Sequence, residues 1–120
     1  KSVELMTNTG VKVMTTTMAQ AKVCKSAGQA VTYLMKRMYT LQRLANSTLS
    51  ETSELGYEQL PEDETLAIQG FAICTLRNAD GNLLTNAYLN HLMHSVCGQA
   101  RFYLLNNKKW KVKLEEGRMR

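Results

Sequence analysis

Cysteine is scarce in this chain: Cys24, Cys74 and Cys97 are odd in number and widely spaced, which excludes a disulfide framework and a zinc-ligand pattern. No apolar run approaches the ~20 residues that a helix needs to cross a bilayer, so a membrane-spanning protein is excluded. The seven glycines stand isolated, and a chain without a glycine-rich turn has no phosphate-cradling loop of the nucleotide-binding kind. No apolar stretch near the start ends in a small-residue cleavage site, so no signal peptide is read there. Proline is nearly absent, with Pro61 alone.

What is present suits one folded domain. The 120 residues are 44% hydrophobic and 21% charged, too apolar for intrinsic disorder and the right length for a single core. We expect one helical domain over residues 1–120, in an intracellular, reducing compartment. A start at Lys1 and a stop at Arg120 lead us to expect a fragment of a longer protein.

A net charge of +5 conceals three blocks. Residues 1–49 carry seven bases (Lys1, Lys12, Lys22, Lys25, Lys36, Arg37 and Arg43) against Glu4 alone. Residues 50–66 carry six acids (Glu51, Glu54, Glu58, Glu62, Asp63 and Glu64) and no base. Residues 67–120 carry eight bases and three acids. Such asymmetry speaks about partners rather than fold. The acidic block reads first as a solvated connector into a helix, and second as an electrostatic cover over a basic surface.

Apolar positions from about Val11 to Leu49 recur in steps of three and four: Met14, Met18, Ala21, Cys24, Gly28, Val31, Leu34 or Met35, Met38, Leu41 and Ala45. That period predicts one long amphipathic helix, clearest over Ser26 to Leu44, that either breaks near Gly28 or extends into a partner. Thr15, Thr16 and Thr17 weaken its front, and Ser47, Thr48, Ser50 and Thr52 end it. Its methionines and small residues suit core packing first, and an oligomer interface second.

Pro61 followed by Glu62, Asp63 and Glu64 predicts a second helix, running to about Arg77, because proline is tolerated in a first turn and acids there face the positive end of the helix dipole. It is apolar nearly all round, the pattern of a buried central helix. Asn78-Ala79-Asp80-Gly81-Asn82 predicts a turn. A third helix follows, with Thr85 or Asn82 as cap, to about Asn106, and its stripe is Leu89, Leu92, Met93, Val96, Ala100, Tyr103 and Leu104. The fold class expected is therefore mainly α: a long first helix plus an αα-hairpin, ending in a short basic C-terminal β-strand or hairpin.

That basic ribbon, residues 108–120, is the most informative stretch. In Lys108-Lys109-Trp110-Lys111-Val112-Lys113-Leu114 the period changes to two, with Trp110, Val112 and Leu114 on one face and Lys109, Lys111 and Lys113 on the other. Glu115-Glu116-Gly117 reads as a hairpin turn and Arg118-Met119-Arg120 as a return strand. Lysines two apart on an extended chain lie ~6.6 Å apart, near the spacing of successive nucleic-acid phosphates. The competing reading is an edge strand whose lysines block sheet aggregation. Lys36, Arg37, Tyr39 and Arg43 form a second cationic group, with Tyr39 placed to stack on a base, and Arg101 joins either patch.

Chemistry-bearing clusters are otherwise thin. His91, His94 and Cys97 recur at intervals of three on the third helix, the sharpest metal arrangement available, yet a cysteine in the core with histidines at the rim fits this apolar helix better. No carboxylate lies near enough in sequence to His94 to complete a nucleophilic site. We expect no enzyme, no metal and no cofactor. The expected function is a self-associating nucleic-acid-binding module, for RNA or DNA, that holds phosphates through Lys108, Lys109, Lys111, Lys113, Arg118 and Arg120, supported by Lys36, Arg37, Arg43, Arg101 and Tyr39. The alternative is a protein-interaction or assembly domain, a scaffold or adaptor, that uses the methionine-rich helix as its oligomer interface.

Overall fold

The computed structural model describes residues 1–49, 56–76 and 84–115. The chain opens with an antiparallel pair, β1 (Ser2–Glu4) and β2 (Lys12–Met14), in the register Ser2↔Met14, Val3↔Val13 and Glu4↔Lys12. Asn8 and Gly10 adopt φ of 68° and 74°, a left-handed geometry that asparagine and glycine tolerate best. The Gly10 N–H donates to the Glu4 carboxylate at 2.8 Å, and the Leu5 N–H to the Val11 carbonyl at 2.7 Å. Residues 12–14 are therefore strand, where the sequence predicts helix. Leu5, Val11 and Val13 point inward and are buried.

The predicted long helix is three helices: α1 (Thr15–Lys22), α2 (Ala27–Met38) and α3 (Leu41–Ala45). The first break falls upstream of Gly28. Ser26 leaves helical geometry and its hydroxyl accepts the Gln29 N–H, so α2 starts afresh on a side-chain cap. The second falls at Tyr39, which is extended, and Thr40, whose hydroxyl accepts the Arg43 N–H. Each cap satisfies an otherwise orphaned donor at the new start. The stripe nonetheless holds in α2, where Ala27, Ala30, Val31, Leu34, Met35 and Met38 are all buried. Methionines of that stripe pack into this chain's own core, leaving no methionine face on α2 for another copy.

A two-residue parallel pair joins β3 (Ser47–Thr48) to β4 (Glu58–Gln59). Then α4 (Glu62–Leu76) begins as expected after Pro61, whose carbonyl accepts from the Glu64 and Thr65 N–H groups. It is not the central helix, for Leu66 and Cys74 are exposed while Ala67, Ile68, Phe71 and Ala72 are buried. The Asn78–Asn82 turn lies outside the described residues. α5 (Asn86–Leu105) starts on Thr85, whose hydroxyl accepts the Tyr88 N–H, and stops where Asn107 turns left-handed at φ 54°. Its buried face is Leu89, Met93, Val96, Cys97 and Ala100. α5 packs chiefly on α2 and α3, and α2 also meets α4. The domain is thus mainly helical, with α2 and α5 at its centre.

Past α5, residues 108–115 form no helix and pair with no strand among the described residues, and the chain bends at Lys111. The predicted β-strand is instead a docked arm. The hairpin turn and return strand, including Arg118 and Arg120, fall outside the described residues, except for Glu115, which is buried and bonded rather than turning away.

Packing density sets a clear contrast between two phenylalanines. Phe71 is 2% exposed and Phe102 is 54% exposed. In urea denaturation, Phe71→Ala is expected to cost about 3–5 kcal/mol, whereas Phe102→Ala leaves the midpoint near that of the parent. Equal losses would show the core to be misplaced.

A candidate nucleic-acid interface on the C-terminal arm

A segment without helix or strand partners has backbone groups that need partners elsewhere. The arm finds them mainly on α2. The Arg37 guanidinium donates from Nη1 to the Lys113 carbonyl at 2.8 Å and from Nε to the Thr17 hydroxyl at 3.2 Å. The Arg37 carbonyl in turn accepts the Glu115 N–H at 2.9 Å. The Glu115 carboxylate accepts the Met14 N–H at 2.9 Å, placing a negative charge where α1 begins, the favourable end of its dipole. At the other end of the arm the Lys108 N–H donates to the Tyr103 carbonyl at 2.8 Å.

Side chains alternate along this arm as the sequence predicts. Trp110, Val112 and Leu114 are half-buried, while Lys109, Lys111 and Lys113 are exposed. Trp110 leans on Tyr103, with ring centroids 5.9 Å apart, and the Lys36 ammonium sits 4.7 Å from a Trp110 ring centroid. Lys36 is half-buried, and loss of hydration pulls its pKa below the ordinary lysine value. Among the described residues no carboxylate stands within ion-pair distance of Lys109, Lys111 or Lys113.

The other expected contributors have structural partners. Arg37 is the arm's clasp. Arg101 donates to the Ala45 carbonyl at 3.0 Å and to the Ser47 carbonyl at 2.6 Å, and its guanidinium lies 4.0 Å from the Tyr57 ring centroid. Arg43 pairs with Glu58 at 3.3 Å, while its Nε is buried without a partner among the described residues. Tyr39 is 7% exposed and its hydroxyl donates to Glu64, so its ring is not open to a base. The Lys108 ammonium rests 5.5 Å from the Phe102 ring centroid. The structure therefore places Lys36, on α2, and Lys109, on the arm, beside one cleft, leaves Lys111 and Lys113 exposed further along the arm, and gives Arg37, Arg43, Arg101 and Tyr39 partners in the framework.

An open cleft of about 210 Å³ lies between the arm and the turn into α3, with Lys36, Lys109, Trp110, Leu41 and Gln42 among its lining residues. Thr40, Leu41 and Gln42 were not predicted as site residues. The signal available for them is the Thr40 hydroxyl, whose capping role turns the chain there. A neighbouring cleft shares Thr40 and Gln42 but includes Glu58.

The acidic block does not cover the lysine row where it is described, because Glu58 faces Arg43 and Glu64 faces Tyr39. Nor do the histidines and cysteine of α5 converge. His91 and His94 are exposed, Cys97 is fully buried, and no three His, Cys, Asp or Glu gather among the described residues. Burial raises the Cys97 thiol pKa, with Arg101 pulling the other way, and burial raises that of Cys24, which disfavours the reactive thiolate. In comparisons with known proteins, no family model, no curated protein and no solved structure matches this chain.

Division of the cations into clasp and surface is testable. Arg37→Ala removes two charge-assisted bonds and is expected to cost about 1.5–3 kcal/mol in urea denaturation, with faster tryptic cutting after Lys111 and Lys113. Lys109→Ala should change neither quantity. Identical behaviour of the two variants would refute the assignment.

Proposed function

We propose that this chain is a non-enzymatic nucleic-acid-binding module that holds phosphates electrostatically with little sequence preference. One observation carries the reading: a docked arm keeps Lys109, Lys111 and Lys113 exposed in alternation with half-buried Trp110, Val112 and Leu114. Lys36 adds a fourth ammonium beside Trp110. Lys108 flanks the row, and Arg118 and Arg120 would extend it beyond the described residues. A basic row of this kind displaces condensed counterions from a polyanion, and that release drives association. Flexible ammonium groups hold phosphates as point charges without the fixed fork that reads a base edge, so RNA and DNA are both accommodated. An intracellular, reducing setting belongs to this proposal.

A second reading, an assembly domain of a self-associating protein, is favoured by a separate observation. Phe102, Leu104 and Leu105 are exposed at the end of α5, Leu105 at 84%, so a homo-oligomer interface would lie there rather than on the methionine stripe of α2. Light scattering with and without nuclease, at two ionic strengths, separates the two. Nucleic-acid binding gives nuclease- and salt-sensitive species, and assembly gives species that grow with concentration and ignore nuclease.

For the leading reading, three to four neutralised phosphates on a single strand imply that log K falls against log salt with a slope of about −2 to −3. Fluorescence anisotropy of a labelled oligonucleotide measures it. Replacing Lys109, Lys111 and Lys113 together with glutamate is expected to abolish binding while the denaturation midpoint is retained. Undiminished retention of nucleic acid by that folded triple variant would reject the arm as the binding surface.

A further inference from the structure

We propose that the cleft between the arm and the start of α3 receives an unpaired nucleobase, making the ligand a single strand rather than a duplex. This rests on the phosphate-binding reading above and adds to it the part of the ligand that lies off the backbone.

Size is the first argument. The cleft holds about 210 Å³, less than the ~300–1,000 Å³ of pockets for drug-sized ligands and on the scale of a single ring system. Composition is the second. Trp110 and Leu41 supply π and apolar surface, which suits the faces of a base whatever its identity. Gln42 carries both a donor and an acceptor in its amide, so it can meet the polar edge of any of the bases. Among the described residues no carboxylate borders this cleft, whereas Glu58 borders its neighbour. Lys36 and Lys109 border the first cleft, so its charge suits an anionic ligand, while in the second Glu58 is paired with Arg43.

Continuity is the third argument. Lys109 both borders the cleft and begins the exposed row that continues through Lys111 and Lys113. Beyond the cleft the chain bends at Lys111 and leaves Lys111 and Lys113 exposed, so a strand whose base enters beside Trp110 can meet those ammonium groups with its following phosphates. Stacked bases inside a duplex cannot leave their partners without unpairing, and that cost weighs against a duplex ligand. The same lysine row without the cleft would accept a duplex as readily as a single strand.

Trp110 is the chain's sole tryptophan, so its intrinsic fluorescence reports on the cleft directly. The test titrates the intact chain at one fixed salt concentration with three probes: oligothymidylate, an abasic strand of equal phosphate count, and a blunt duplex of equal phosphate count. Oligothymidylate is expected to quench Trp110 and to bind about tenfold more tightly than the abasic strand. The abasic strand should bind without quenching, and the duplex should do no better than the abasic strand. Gln42→Ala, an exposed position, should narrow the gap between oligothymidylate and the abasic strand with no change in affinity for the latter. Trp110→Phe keeps an aromatic ring against Tyr103 and should preserve most of the gap, read by anisotropy. Equal affinities for the oligothymidylate and the abasic strand, or tighter binding of the duplex, overturn the cleft and leave the lysine row standing. Failure of all three probes to bind overturns both.

Discussion

Arg37 joins three parts of the chain through one residue. Its guanidinium reaches Thr17 on α1 and the Lys113 carbonyl on the arm, and its own carbonyl, on α2, receives the Glu115 N–H. A guanidinium is suited to this because its donors sit in a rigid planar fork, and because it bears less tightly held water than an ammonium does. Without that anchorage, residues 108–115 would be a solvated peptide with no fixed side. With it, the two-residue period of the sequence becomes a surface, apolar toward the helices and cationic toward water. The proposed site therefore depends on a residue that is not itself available to a ligand.

The same separation runs through the other cations. Arg101 fastens the carbonyls of Ala45 and Ser47 and lies over Tyr57, which holds α5 against the end of α3 and the short parallel pair. Arg43 meets Glu58. Arginines of the described residues build the framework, and lysines of the arm are left outward. That division has a physical reason. The guanidinium can satisfy several acceptors at once in a half-buried place, whereas the ammonium is strongly hydrated and costly to bury. Lys36 is the exception, half-buried against Trp110, and its lowered pKa records the lost hydration.

Local signals in the sequence carried over where the responsible chemistry was itself local. Pro61 with three acids marks the start of α4, Thr85 caps α5, and Asn106 and Asn107 close it. Alternation in the arm was visible for the same reason. The predicted single helix over residues 11–49 misleads because its apolar stripe is continuous across two real breaks. Ser26 and Thr40 each fit the helical period as polar positions, and their capping role appears only once a turn has formed. Hydroxyl residues at such intervals are the cue that periodicity alone passes over. The roles of Arg37 and Arg101 were hidden for a different reason. Their acceptors are backbone carbonyls of distant segments, 76 residues away for Lys113 and 56 for Ala45, and a carbonyl has no sequence signature. Charge counting therefore assigned to the surface arginines that tertiary structure uses internally.

Glu115 bonds to Met14 across 101 residues. A ribosome releases Met14 early and Glu115 only after nearly the whole domain has emerged. The clasp at Glu115 thus closes only after the helices have been made, and the cationic row acquires its fixed orientation at the same moment. Nascent chains would carry those lysines unarranged, so the ordered cationic row comes into being only once the helices beneath it have been made.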